Sequence, residues 1–215
     1  MRNTNFRHHS HSVLYSKLYN TIFVLAGHYQ NKCEYAKLNN KGEIDKWEEM
    51  LPIKRPREDP INFLLNDKFI YLIGGIKDKG KGNTNNDSYD VFDISTLFDN
   101  GLSPTWKQVN VATNQYTKPL FETLGPGIVE LNNKIYLLGG LRKEKEEFMA
   151  WKISFSERKI EKIEKFETND TFKEKKNFSF LGQQLFMLYD DNYVNINWYG
   201  KCEVFHRNLF NNSFE

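Results

Sequence analysis

The stretch Ile70-Tyr71-Leu72-Ile73-Gly74-Gly75 is a short apolar run that ends in two glycines, and the same form recurs along the chain. Ile135-Tyr136-Leu137-Leu138-Gly139-Gly140 repeats it, and Ile22-Phe23-Val24-Leu25-Ala26-Gly27 differs in having alanine at the first small position. A short apolar run without alternation is typical of a strand that is covered on both faces. The recurrence predicts a protein built from repeated strand units.

A turn and a second apolar stretch precede each of these runs. Asn66-Asp67-Lys68 and Asn132-Asn133-Lys134 are tight-turn signals, and Tyr19-Asn20-Thr21 is a looser version. The unit is therefore a strand, a hairpin turn, a second strand and a pair of small residues. An aromatic segment and then a tryptophan segment follow, although the third unit has Ile163 or Phe166 where the last tryptophan is expected. The closing glycines of successive units are 48 and 65 residues apart.

Units of this kind, about 50 residues long, are typical of kelch repeats, and the chain resembles the kelch-repeat β-propeller family from about His11 to Phe214. The resemblance implies an all-β fold of four four-stranded blades, in approximate units 12–50, 61–109, 127–166 and 178–215, after an N-terminal tail at 1–11. It also implies that glycines stand where backbones approach closely, and that the later aromatic residues pack between blades. The motif positions are Gly27, Gly74, Gly75, Gly139, Gly140, Tyr35, Trp47, Phe92, Trp106 and Trp151.

The resemblance also sets an expected register. It makes Ile70–Ile73 an innermost strand that lines a central channel, and Ser12–Leu18 the outermost strand of a blade. The fourth unit has Asp190-Asp191 in place of the glycine pair and ends after a third strand near Phe214. The N-terminal strand would complete that blade and close a four-bladed ring. The alternative, which we favour, is an incomplete propeller, open or part of a longer parent.

Lys159–Phe166 does not show the periodicity of a strand, because its apolar residues recur at every third position. Its charges suit a short helix, whereas its place in the repeat suits a strand. We expect a strand.

Composition excludes several classes of protein. The 215 residues contain 30 Lys and Arg and 28 Asp and Glu, which gives a formal net charge of +2 and no electrostatic case for nucleic acid or an anionic membrane. The sequence contains neither an apolar run long enough for a membrane span nor a secretory signal. Two cysteines, Cys33 and Cys202, cannot build a disulfide framework. A reducing, cytoplasmic location is therefore expected.

No residue pattern predicts catalysis, a cofactor or a metal ion. His8, His9 and His11 are the densest group of potential ligands, but no further Cys or His follows at zinc-finger spacing. Nucleophile-elbow, phosphate-loop and dinucleotide-binding motifs are absent from the sequence. Paired acids such as Glu48-Glu49 and Asp90 with Asp93 are too common in turns and at strand edges to be assigned a role. Some kelch propellers are copper-radical oxidases or sugar epimerases, but the Tyr, Cys and His ligands of the oxidases are not recognisable here.

The resemblance implies a binding role. In kelch domains that bind partners, a basic residue just ahead of the outermost strand of a blade often reaches the channel mouth and takes acidic groups. Arg7 and Arg57 match that place, and the third unit offers Lys118. Alternatively, Arg57 is neutralised by its neighbours Glu58 and Asp59.

The expected function is a non-enzymatic scaffold or adaptor that binds proteins through blade loops. Kelch relatives include ubiquitin-ligase receptors and cytoskeletal or ciliary scaffolds, and nothing in the sequence chooses between these roles. Self-association, or completion by another propeller segment, is a further expectation. The alternative from another class is a sugar-binding or sugar-processing propeller that uses the central channel.

Overall fold

The computed structural model describes residues 3–28, 30–76, 87–111, 117–131, 134–138, 150–156, 159–165, 184–188, 192–196 and 202–206. The chain divides into two compact units, Met1–Ala112 and Thr113–Glu215. The described residues form an all-β fold of antiparallel sheets, as the sequence predicts.

The first unit contains two four-stranded sheets, each a meander in chain order. Sheet 1 consists of β1 (Ser12–Ser16), β2 (Thr21–Leu25), β3 (Cys33–Lys37) and β4 (Glu48–Met50). Sheet 2 consists of β5 (Ile61–Leu65), β6 (Phe69–Ile73), β7 (Ser88–Asp93) and β8 (Trp106–Asn110), with a 3-10 turn at Ile94–Leu97 between the last two strands. The edge strands β1 and β5 lie next to each other.

One apolar core joins the two sheets of this unit. Paired residues of an antiparallel ladder share a face, so the register assigns Phe23 and Leu25 of β2 to the same face as Tyr35 and Cys33 of β3. That face packs against one face of sheet 2 in a single buried cluster, which contains Phe23, Leu25, Ala26, Cys33, Tyr35, Met50, Ile53, Ile70, Leu72, Phe92 and Ile94. Apolar burial of this kind is the main force that holds two sheets together.

Polar contacts reinforce this interface at its edges. The indole Nε1 of Trp106 in sheet 2 donates to the carbonyl of Leu51, just after sheet 1, over 2.8 Å. At the hairpin turns, the Asp67 carboxylate accepts the backbone N–H groups of Lys17 and Leu18. The turn of sheet 2 is thereby tied to the turn of sheet 1.

The second unit begins with the short helix α1 (Thr117–Phe121), which leads to sheet 3. Sheet 3 contains β9 (Gly127–Leu131), β10 (Lys134–Leu138), β11 (Ala150–Ser156) and β12 (Lys159–Lys165). The strand predicted at Lys159–Phe166 is therefore confirmed. A fourth sheet contains β13 (Gln184–Leu188), β14 (Asn192–Ile196) and β15 (Cys202–His206), and β9 lies next to β13.

Three details of the expected register are wrong. β6 is an interior strand between β5 and β7, so Ile70–Ile73 is not at the edge of its sheet, and the edge strand next to β1 is β5. Ser12–Ser16 is the first strand of sheet 1 rather than the outermost strand of another blade. Since β1 pairs with β2, it does not complete the fourth sheet, which has three strands among the described residues. Short turns explain these pairings, because they oblige β1 to pair with β2 and β5 to pair with β6.

Candidate functional site

In the first unit, the segment that enters each sheet passes close to the small-residue pair that follows the second strand of that sheet. We call each of these close approaches a crossing. Gly75 has φ +80°, and a Cβ there would lie 2.9 Å from the carbonyl oxygen of Glu58. Gly27 has φ +128°, and a Cβ there would lie 2.7 Å from the carbonyl oxygen of His9. Both positions need glycine, because the backbone is left-handed and the incoming segment passes directly over it.

The same crossing is held by backbone hydrogen bonds in both sheets. Glu58 and Ile76 exchange two hydrogen bonds of 3.0 and 2.9 Å in sheet 2, and the His28 N–H donates to the His9 carbonyl over 2.7 Å in sheet 1. The segment that enters each sheet is therefore fixed beside the loop that leaves its second strand.

A buried arginine lies at the crossing of sheet 2. Arg57 Nε donates to Asp90 Oδ2 over 2.7 Å, and Nη1 donates to the carbonyls of Gly74 and Ser88 over 2.5 and 3.1 Å. Its Nη2 donates to Ser88 Oγ over 3.0 Å. Arg57 and Asp90 are 0% and 1% exposed. We call this group the sheet-2 clamp, because one side chain ties the entering segment to both β7 and the Gly74 carbonyl.

Burial lowers the pKa of the Arg57 guanidinium, and the neighbouring Asp90 carboxylate opposes that effect. A buried cation next to a buried anion is stable only when the pair is intact, since either charge alone would lose its hydration without compensation. The sheet-2 clamp is therefore a structural element whose two members depend on each other.

A histidine takes the same place in sheet 1. His8 Nδ1 lies 3.0 Å from the Ala26 carbonyl oxygen, and His8 Nε2 lies 2.7 Å from Glu34 Oε1. The side chains of His8 and Glu34 are 3% and 0% exposed. We call this group the sheet-1 clamp.

The two clamps are equivalent by their positions in the repeat. His8 stands four residues before β1 begins, and Arg57 stands four residues before β5 begins. Glu34 pairs with Val24, the fourth residue of β2, and Asp90 pairs with Leu72, the fourth residue of β6.

Sheet 3 has different residues at these positions. Trp151 pairs with Leu137, the fourth residue of β10, and therefore stands where Glu34 and Asp90 stand in the first two sheets. Thr123 stands four residues before β9 begins. Both residues are 1% exposed. The charged pair is thus replaced by an indole and a hydroxyl at the third sheet.

The structure corrects the binding role expected of Arg57. Its guanidinium is enclosed and paired with Asp90, so it cannot receive an acidic group from a partner, and its counter-ion is neither Glu58 nor Asp59. Arg7 is exposed. Lys118 is exposed on α1, with its Nζ 3.9 Å from Glu122 Oε1. Of the three predicted residues, Arg57 is enclosed, whereas Arg7 and Lys118 are at the surface.

Three of the motif residues lie at the interface between sheets 1 and 2. Tyr35 and Phe92 are buried in the core shared by sheets 1 and 2, Trp106 packs beside that core, and Trp47 directly precedes β4. Gly139 and Gly140 lie outside the described residues.

Sequence reasoning missed three members of the clamps: His8 as a pairing residue, Glu34 and Asp90. Each acid stands within a strand whose residues are mostly buried, and Asp90 is the third residue of β7 rather than a turn residue. An acid at a buried strand position needs a partner, and that was the available signal.

The histidines do not assemble into a metal centre. His8 and His11 have ring centroids 5.5 Å apart, and His9 and His28 have centroids 5.7 Å apart. Among the described residues, no three side chains of His, Cys, Asp or Glu are grouped as a metal ion would require. The Cys33 thiol is buried, and burial raises its pKa from the ordinary 9.0 to about 12, so it is not a reactive thiolate.

No family model matches the chain, and no curated protein matches it at a significant level. In the part of the chain that the structure describes, no helix has the length and apolar character that crossing a membrane demands.

Proposed function

We propose that this chain is a kelch-like array of β-sheet blades that acts as a non-enzymatic protein-binding scaffold. The observation that carries the proposal is the face-to-face packing of sheets 1 and 2, with their first strands side by side and their small-residue pairs at equivalent positions. In blade arrays each sheet covers the face of the next one, and the connecting loops are left at the surface.

The clamps support a structural rather than a chemical use of the buried charges. Arg57 and His8 each have a carboxylate and a carbonyl within hydrogen-bond distance, so their polar atoms are occupied within the fold. Loops held on a rigid framework of this kind are suited to binding a partner.

Arg7 is the basic residue that we assign to partner contact. It is exposed on the segment that enters sheet 1, at the end of the sheet that carries the sheet-1 clamp. An exposed guanidinium can bind a carboxylate through two parallel hydrogen bonds, so we infer that the partner presents acidic side chains.

Affinity purification of the full chain from cell extract, with quantitative mass spectrometry, tests this function. We expect a reproducible set of partner proteins that is lost with Arg7→Glu and kept with Lys17→Glu, a charge reversal at the exposed turn between β1 and β2. Repeated failure to recover a partner, together with turnover of a small molecule such as a sugar, would contradict the scaffold function and favour the sugar-processing alternative.

A further inference from the structure

The segment at residues 3–11, which we call the N-terminal strap, is held against sheet 1 largely by one carboxylate. Glu34 accepts the backbone N–H of Asn5 over 2.8 Å and that of Phe6 over 3.5 Å, and it faces the His8 ring over 2.7 Å. Loss of the His8 contact would therefore affect the strap where it is anchored.

The hydrogen-bond geometry of His8 requires an extra proton. Its Nδ1 faces the Ala26 carbonyl, which can only accept, and its Nε2 faces a carboxylate oxygen of Glu34. A neutral imidazole carries a single N–H, so it can donate to only one of these two oxygens. Both contacts are hydrogen bonds only when a second proton lies between Nε2 and Oε1. We propose that His8 and Glu34 form a proton-dependent latch that holds the N-terminal strap against sheet 1.

The sheet-2 clamp provides an internal comparison. Arg57 occupies the equivalent place and keeps its proton over the whole range in which imidazole groups titrate. The Arg57 contacts of sheet 2 are therefore insensitive to pH in that range, whereas the His8 contacts of sheet 1 depend on it.

Other charged groups surround the latch. The His11 ring lies 5.5 Å from that of His8, and burial lowers the pKa of His11, with further lowering from His8 and His9. The Lys32 ammonium lies over the Phe6 ring at 3.9 Å.

A second histidine pair lies nearby in the same unit. His28 Nδ1 is 2.8 Å from Glu58 Oε2, on the other side of the Gly27 crossing, and it is more exposed than His8.

The direction of the pH effect on the latch follows from the proton count. The latch binds one proton more than a neutral ring beside an ionised carboxylate, so it is closed on the acidic side of imidazole titration and opens as the pH rises.

Hydrogen exchange of backbone amides in the full chain tests this latch directly. We expect the protection factors of Asn5 and Phe6, corrected for intrinsic exchange, to fall about tenfold between about pH 5.5 and pH 8.5, which corresponds to one charge-assisted hydrogen bond. The amide of Gly74, which donates to the Ser88 carbonyl beside Arg57, should keep its protection. Nitrogen-15 correlation spectra of the His8 ring should show both nitrogens protonated while the strap is protected.

Matched variants separate the latch from a general effect of pH. His8→Gln, which does not titrate, should abolish the pH dependence of the Asn5 and Phe6 amides, and His9→Gln should preserve it, because the His9 side chain is exposed. A wild-type strap whose protection is constant with pH would overturn the proposal. A His8→Gln strap that still loosens at high pH, or a His8 ring with a single protonated nitrogen at pH 5.5, would overturn it as well.

Discussion

Sheets 1 and 2 hold their entering segments at equivalent positions but with different side chains. Each must hold an entering segment across a small-residue pair, and each does so with a side chain four residues ahead of its first strand that pairs with an acid in its third strand. Sheet 1 uses His8 and Glu34, whereas sheet 2 uses Arg57 and Asp90. The comparison shows that sheets 1 and 2 keep the place of the clamp, although its basic side chain differs.

The two clamps differ in how many hydrogen bonds depend on the basic side chain. Arg57 makes four hydrogen bonds and is held from the other side, because its carbonyl accepts the Gly27 N–H of sheet 1. His8 belongs to a segment whose backbone N–H groups also bind Glu34, so part of the anchoring does not depend on the ring. Sheet 2 should therefore be more sensitive to loss of its cation.

The largest expected effect is that of Arg57→Met. This variant leaves Asp90 buried without its cation, and we expect the free energy of unfolding to fall by about 3–5 kcal/mol in urea denaturation. His8→Met should cause a smaller loss of about 1–3 kcal/mol, since Glu34 keeps its backbone donors. The double variant Arg57→Met with Asp90→Leu should regain much of the lost stability, because no charge is then left unpaired.

One result would contradict the predicted order of Arg57→Met and His8→Met. If His8→Met lowers the free energy of unfolding as much as Arg57→Met does, the two clamps are equal in strength and the comparison above is wrong.

The second expected effect separates backbone strain from steric contact. Gly75→Ala should lower the free energy of unfolding by about 2 kcal/mol or more, because the new Cβ would meet the Glu58 carbonyl in addition to the strain at positive φ. Gly42→Ala is the matched control, since Gly42 has φ +74° with nothing within 4 Å of the new Cβ. It should lower the free energy of unfolding by about 1 kcal/mol, from strain alone.

Gly27→Ala extends the same measurement to sheet 1. We expect it to resemble Gly75→Ala, because its Cβ would lie 2.7 Å from a backbone oxygen. Equal effects at Gly42 and Gly75 would mean that the crossing does not need glycine for space.

The strand units were predictable because their signals are local. Asn66-Asp67-Lys68 between two apolar runs predicts a hairpin, and β5 and β6 form that hairpin. The assignment of Ile70–Ile73 to an innermost strand came from the family resemblance rather than from the turn. The short turn alone requires β5 to be the partner of β6, so a reading from turn lengths gives the observed register.

The clamps were only partly predictable because their partners are distant in sequence. The sequence predicts that Arg57 takes acidic groups of a partner, whereas its observed partner Asp90 is 33 residues away along the chain. The two meet only when β7 lies in register with β6, which no local pattern specifies. Likewise, His8 was considered as a potential metal ligand, whereas its partner Glu34 was hidden among buried strand residues.

A smaller effect is expected at the edge of the shared core. Trp106→Phe removes the indole N–H that donates to the Leu51 carbonyl, and we expect the free energy of unfolding to fall by about 1 kcal/mol. The Arg57→Met effect should be additive with it, since Trp106 has no contact with the clamp among the hydrogen bonds described. A neutral outcome would indicate that apolar packing alone joins the end of sheet 1 to β8.

The last expected effect comes from the ionisation of Tyr35 and Cys33, which lie in the core between sheets 1 and 2. It is absent at neutral pH and appears only at alkaline pH. Burial raises the pKa of Tyr35 from the ordinary 10.0 to about 12, with a further contribution from Glu48, and burial raises that of Cys33 to about 12. The folded protein therefore holds these protons after the unfolded chain has released them. Stability should be unaffected below about pH 8 and should fall as the pH rises toward 12.

Tyr35→Phe identifies the tyrosine part of this loss. The variant lacks the hydroxyl that donates to Glu48, so its stability at neutral pH is slightly lower, but its decline above pH 10 should be shallower than that of the wild type. Urea denaturation at successive pH values between about 8 and 11 measures both slopes. Parallel slopes would mean that Tyr35 ionises as readily in the folded protein as in the unfolded chain. In that case the face of sheet 1 that carries Tyr35 would be open to water, and sheet 1 would not cover sheet 2 in the way that the shared core requires.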